Sequence, residues 1–364
     1  MSSSSEFIFF HVPVASGQFW VPGAIQAPQQ HLSNIQDRSL QIDQFVFGLV
    51  LSILLEQQCH PHEIVNSYFK YIHPWFPIIH QRNFRLRLSQ SHQAPRAATA
   101  LLLLSLYLVI PTCSSNTTQS DGETHVYSLC KYLFSFLQLH CEPCVETVQS
   151  GLLLVLYELG SSLVTAASIA IGSCARIAQI MDLHSSTSPQ TEVAIGSWVD
   201  QEEKKRVWLG TYMLDRCVNP AIHGFSFSLV TATWHLLIEC CTSLVLLAER
   251  NHRVPPVLQD LEHDTLLPVD DLLWNRCADL NFDKTAQPSL STRLDHPVCY
   301  FAREIQAIHL LSQVQKFQIK WERNKTFANF EGLGTTLQQL VQALCDQTPG
   351  SWVVFCGANA LAFM

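Results

Sequence analysis

The chain has 364 residues, 48% of them apolar and only 14% charged, with 22 basic against 30 acidic side chains and a net charge of −8. That much apolar surface excludes a disordered chain and suffices for two average domains or one large helical one. Autonomous nucleic-acid binding is also disfavoured, because it needs a basic face. The densest basic cluster here, Lys204, Lys205 and Arg206, stands directly behind Glu202 and Glu203.

Residues 1–38 carry serines, glutamines and three prolines without a stable period, and read as a loose tail. From Ile42 the pattern turns helical. "QIDQFVFGLVLSILLEQQ" places Ile42, Phe45, Val46, Leu49, Val50, Ile53 and Leu54 along one stripe. "HPHEIVNSYFKYIH" follows, with Pro61 at a helix start and Ile64, Val65, Tyr68, Phe69 and Ile72 stepping by three and four. Pro74 and Pro77 then end that helix and force an extended turn, and Trp75, Phe76, Ile78 and Ile79 are expected to fold back as a plug between helices.

Helices are expected next over 94–110, 123–139, 145–158, 162–182, 200–216, 299–322 and 333–346, joined by short linkers of Pro, Gly, Ser, Thr and Asn. Alternating β patterns are nearly absent, so the expected fold is all-α, one large multi-helix domain over 39–364. In "DQEEKKRVWLGTYMLDR" Asp200 reads as the cap, Glu202 and Glu203 as first-turn acids, and Glu202 reaches Arg206 at i+4. Trp208, Tyr212 and Asp215 share a face, and a buried Asp215 needs a partner: Arg176, Arg206 or a backbone amide. No membrane partner is expected. Ala97–Ile110 is short of the roughly 20 residues a span needs, and 152–178 carries Glu158 and Arg176. The start of the chain lacks the basic segment of a secretory signal, so the 13 cysteines read as reduced thiols.

Catalytic and metal motifs do not assemble in this sequence. His140, Cys141 and Cys144 in "HCEPC" have zinc-like spacing but lack a second pair, leaving only Cys130 and His125 as further donors. In "PVDDLLWN" the third carboxylate position of a D-D-x-x-D motif is Trp274, so Asp270 and Asp271 read as caps of the next helix. Phosphate-loop, zinc-protease, nucleophile-elbow and dinucleotide signatures do not occur.

The segment "SYFKYIHPWFPIIHQRNF" resembles the entry motif of the fungal-specific transcription factor domain, the helical middle homology region of fungal binuclear zinc-cluster activators. The matching positions are Tyr68, Phe69, His73, Pro74, Phe76, Pro77, Ile78, His80 and Phe84. The resemblance continues through "ARIAQIMDLH", through "EEKKRVWLGTYMLDR" with Trp208, Asp215 and Arg216, and through "LLPVDDLLWN". It implies a nuclear transcription regulator of a metabolic or secondary-metabolite gene set. Its implied partners are other transcription proteins or a homodimer mate and a small-molecule effector, with DNA engaged only indirectly and no catalytic residues.

Two departures stand out. The family's zinc cluster should precede the domain, yet no cysteine occurs before Cys59, so its zinc has no ligands and no cofactor is expected. Residues 225–254 separate segments that similar domains join closely, which suggests an insertion or retained intron sequence, and "GSWVVFCGANALAFM" reads as a truncated helix. The competing readings are an all-α enzyme with an apolar pocket and a modulator that pairs with a full-length activator.

Overall fold

Thirteen consecutive residues, Ala97–Val109, are all buried, because a helix apolar on every side can only sit at the centre of a packed domain. The computed structural model describes residues 33–89, 96–110, 119–188, 195–221, 256–276, 287–293, 296–324, 335 and 339. The elements are α1 (Ser33–Glu56), α2 (Pro61–Tyr71), α3 (Gln81–Ser89), α4 (Ala97–Val109), α5 (Gln119–His140), α6 (Val145–Gly160), α7 (Val164–Ile180), α8 (Ile195–Ala221), α9 (Asp271–Arg276) and α10 (Tyr300–Asn324). A short 3₁₀ turn, Leu183–Thr187, links α7 to the segment before α8. Among the described residues there is no strand, only one isolated bridge between Leu266 and Ser289. The all-α expectation holds.

Helix α4 packs against α2, α5 and α6; α6 in turn carries α7, and α7 carries α8. Small residues set these distances. A Cβ on Gly151 of α6 would lie 2.3 Å from Cys174 Sγ of α7 and 2.7 Å from a Phe134 ring carbon of α5. On α7 the buried face is largely Ala167, Ala170, Cys174, Ala175 and Ala178, so the two helices close with little side-chain volume between them.

Ser39–Met364 forms one compact unit and Met1–Arg38 another. Of the expected tail only 33–38 is described, as the first turns of α1, which begins well ahead of Ile42. The segment 225–254 and the chain end lie outside the described residues, as does most of the helix expected over 333–346. Among the described helices, Ser39–Glu56 alone is long and apolar enough to cross a bilayer by length and composition. Here Val46, Val50, Ile53 and Leu54 turn into the core while Phe45 and Leu55 face outward.

The expected start of α8 is corrected. The helix begins at Ile195, so Asp200 is no cap, and Glu202 and Glu203 lie beyond the first turn. Trp198 and Val199 form a small apolar cluster with Val269 and Trp274, and burying them extends the helix backward past the capping signal. Asp200 instead accepts from Asn83 Nδ2 at 3.4 Å.

Candidate functional site

The break after α2 leaves a run of backbone that no helix satisfies, and such groups must find partners when buried. Phe76, Ile78 and Ile79 are wholly buried and Pro77 is buried with them, while Pro74 is exposed and Trp75 half-buried, its Nε1 donating to Tyr71 O at 3.1 Å. The plug is therefore real, but Trp75 stays at its edge. Tyr68 OH donates to Phe76 O at 3.1 Å, and burial drives its phenol far above the ordinary range. The Phe76 ring meets Phe301 of α10 edge-on, and both Phe76 and Ile78 press on Gly210 of α8, where a Cβ would sit 3.1 Å from Ile78 Cγ2. Phe69 packs against Tyr68 and His73, and Phe84, fully buried on α3, closes the entry motif.

Pro77 O, Ile78 O and the His80 amide are taken up by charged and amide side chains of α6 and α8. Gln149 Nε2 donates to Ile78 O at 2.6 Å and to Glu203 Oε1 at 3.1 Å. Glu203 Oε1 also accepts from the His80 amide at 3.0 Å, and its Oε2 accepts from Arg87 at 3.2 Å; Arg87 reaches Glu146 as well, at 2.9 Å. Burial raises the Glu203 carboxyl pKa against the opposing pull of Arg87, the His80 amide and Gln149.

Arg206 is the second hub and is fully buried. Its Nε donates to Glu202 Oε1 at 3.0 Å, the i+4 pair expected from the sequence. Its other nitrogens donate to Pro77 O at 3.3 Å, to Val269 O at 2.6 Å and to Asp271 Oδ1 at 2.5 Å. Glu202 Oε1 accepts from the Val269 amide at 3.0 Å, and its Oε2 from Lys205 at 2.9 Å, which also reaches Gln287. The guanidinium lies 4.0 Å from the centroid of the Trp274 ring, and the rings of His73 and His80 pack on that same tryptophan. Burial of His73, with Arg206 and His80 nearby, pushes its pKa down to about 3; burial lowers His80 too. Both imidazoles are neutral at ordinary pH. Asp270 caps α9 through the Leu272 amide at 2.8 Å, as expected, whereas Asp271 serves Arg206.

A third cluster anchors the far end of α8. Asp215 accepts from the amides of Val257 at 3.1 Å and Leu258 at 3.0 Å, and from Arg216 at 2.8 Å. The backbone-amide expectation is met, and neither Arg176 nor Arg206 is among these partners. Arg216 lies over the Tyr212 ring and donates to Leu258 O and to Asp260, which Ser312, Gln313 and Lys316 of α10 also engage. Trp208, buried, packs beside the His184 ring.

Sequence reasoning missed Glu203, Gln149 and Trp274 as organisers. A usable signal was present for Gln149, a lone amide in the apolar run "VQSGLLLVLYEL", since such a group must be paired when buried. Glu158 in that run is likewise engaged, by Tyr127 OH and Lys131 Nζ, each at 2.7 Å. Among the described residues no three His, Cys, Asp or Glu side chains gather to hold a metal; Cys144 lies instead 3.2 Å from Thr147 Oγ1. Chemically the junction holds backbone: each carboxylate in it is bound by a cation or an amide.

Residues 65–232 match the family model described as fungal specific transcription factor domain. The chain is similar to transcription factor BOA15 of Botryotinia fuckeliana, 31% identical over 144 residues that cover 40% of this chain and 79% of that protein. It is 26% identical to the ascochitine biosynthesis cluster transcriptional regulator of Didymella fabae over 54% of this chain, and 27% identical to the citrinin biosynthesis transcriptional activator ctnR of Monascus purpureus over 43% of it. These matches span 34% and 27% of those two longer proteins. No solved structure matches the chain.

Proposed function

This chain belongs to the fungal specific transcription factor domain family, and from that premise we propose that it regulates a set of secondary-metabolite genes from the nucleus, as a binding module without substrate turnover. Relatives named as regulators of ascochitine and citrinin biosynthesis support the gene class. The net charge of −8, with basic residues such as Arg206 and Arg216 spent on internal pairs, supports action through protein or effector contacts, with DNA reached indirectly.

The observation that carries this reading is the match over 65–232, which takes in the aromatic plug and α8. In the test the full chain is fused to a foreign DNA-binding module upstream of a reporter. Activation or repression above the module alone is expected. A silent reporter, with the fusion shown to be folded and nuclear, would sink the proposal. Turnover of an isoprenoid diphosphate by the purified chain would replace it with the enzyme reading.

A further inference from the structure

The turn between α5 and α6 carries two thiols that the junction does not use. The Cys141 amide donates to Leu137 O at 2.9 Å, at the end of α5. Cys144 is the N-cap residue of α6, and its carbonyl accepts from the Thr147 and Val148 amides at 3.2 and 3.4 Å. Only Glu142 and Pro143 lie between the two. Both cysteines are half-buried and unbridged. Among the described cysteines no other two stand within three residues of each other, and Cys130, Cys174 and Cys217 are buried.

Donor count and access narrow what such a pair can do. Structural zinc needs about four donors, and among the described residues no third His, Cys, Asp or Glu joins these two. Two neighbouring thiols without further donors are suited to a reversible disulfide. Cys141, Glu142, Pro143 and Thr147 line a trough of about 460 Å³, so a small oxidant reaches Cys141 from solvent. Cys144 is the more deeply buried of the two, its Sγ 3.2 Å from Thr147 Oγ1. The sulfurs are close enough for the charge of one to oppose ionisation of the other.

We propose that Cys141 and Cys144 form a peroxide-responsive dithiol, closing a reversible disulfide across the α5–α6 turn. The Cys141 sulfur attacks hydrogen peroxide: an S–O bond forms, the O–O bond breaks, and the leaving hydroxide takes the thiol proton and departs as water, giving a sulfenic acid. The Cys144 sulfur then attacks that sulfur. The S–S bond forms, the S–O bond breaks, and the second hydroxide leaves as water with the Cys144 proton. The peroxide gains two electrons and the thiol pair loses two. Closure pins the end of α5 to the cap of α6 and withdraws Cys144 from Thr147, at the rim of the trough. Burial, with Asp43 and Cys144 adding to it, raises the Cys141 thiol, and burial with Glu146 raises Cys144. Both rest protonated at neutral pH, so the pair stays reduced until oxidant is in excess. The proposal does not rest on the regulatory reading, and its readout is chemical.

Peptide mapping of the full chain tests it. The reduced protein, freed of reductant, is treated with excess hydrogen peroxide, its remaining thiols are alkylated, and it is cut after glutamate. Cleavage after Glu142 puts the two cysteines on separate peptides, which then stay joined only through a disulfide. The expected result is a Cys141–Cys144 linked pair that dithiothreitol releases, forming about tenfold faster per pH unit between pH 7 and 8.5 as thiolate accumulates. In Cys144→Ser, dimedone should trap the sulfenic acid on Cys141. An unchanged thermal melt of that variant checks its fold, and the wild-type map decides alone if the melt shifts. Both thiols still open to alkylation after peroxide, linkage of either to a different cysteine, or over-oxidation of Cys141 to sulfinic acid without a disulfide overturns the proposal.

Discussion

Arg206 lies with its guanidinium 4.0 Å from the centroid of the Trp274 ring, wholly out of water, while its Nε holds Glu202 at 3.0 Å. One residue thus joins three separated pieces of chain: the plug through Pro77 O, the segment before α9 through Val269 O, and α8 itself. Planarity explains the choice of arginine. A lysine keeps the charge but has neither the fork that serves several acceptors at once nor the flat face that stacks on an indole.

Substitution should follow that geometry. Arg206→Met leaves Glu202 and Asp271 short of a buried cation and is expected to cost about 3–5 kcal/mol. Arg206→Lys should cost less but remain clearly destabilising. Urea midpoints of the two variants check the order, and equal midpoints for Lys and wild type would contradict the account. Because Arg206 and Glu202 share one network, Glu202→Gln combined with Arg206→Met should cost less than the sum of the singles.

Two glycines in helices should respond with opposite sign. Gly151→Ala places a methyl 2.3 Å from Cys174 Sγ and against the Phe134 ring, and is expected to destabilise by about 1–3 kcal/mol through overpacking. Adding Cys174→Ala should return part of that loss. Gly48→Ala on the exposed face of α1 meets nothing within 4 Å and should stabilise by about 0.5–1 kcal/mol through helix propensity. Thermal melts of the three variants decide.

How far the sequence reaches is visible in these residues. Most of the long helices were legible from spacing, although α3 (Gln81–Ser89) was not among those expected, and the plug was legible because two prolines in an aromatic run leave few alternatives. The Glu202–Arg206 pair was legible because i+4 contacts are local. Glu203 was not, since its partners are His80, Gln149 and Arg87, supplied by other elements. Trp274 read as the residue that spoils a metal motif and proved to be the surface on which Arg206, His73 and His80 converge. The start of α8 was misread because burial of Trp198 and Val199 outweighed a local capping signal.

Asp215 has the look of a functional acid on an aromatic face, and its contacts assign it to structure. Asp215→Ala removes an acceptor from two amides and from Arg216, an expected loss of about 3–5 kcal/mol, as for a broken buried pair. Asp215→Asn keeps one carbonyl acceptor and should lose roughly half as much. Proteolysis around Val257 and Leu258 should accelerate in the same order. Unchanged cleavage there would show that the amides do not depend on this carboxylate.

Acid should loosen the junction through its histidines. His73 has its pKa lowered to about 3 by burial first, then by Arg206 and His80, although an Asp271 oxygen stands 3.9 Å away. A group depressed in the folded state adds stability that is complete above its unfolded pKa, near 6.5, and that drains as pH falls toward the folded value. Each unit of pH in that window removes about 1.4 kcal/mol, so about 2 kcal/mol is gone between pH 6.5 and 5. Burial raises Glu203 and Asp271, and raises the partly buried Glu304 to about 7. Those acids act in the opposite direction, favouring the fold as pH falls. Comparison with His73→Gln isolates the histidine, because the carboxylates are common to both proteins. Relative to that variant, the wild-type chain should lose about 2 kcal/mol in urea unfolding between pH 7.5 and pH 5. Parallel pH profiles would mean that His73 is protonated or solvated in the fold, and that the Trp274 stack is open to water.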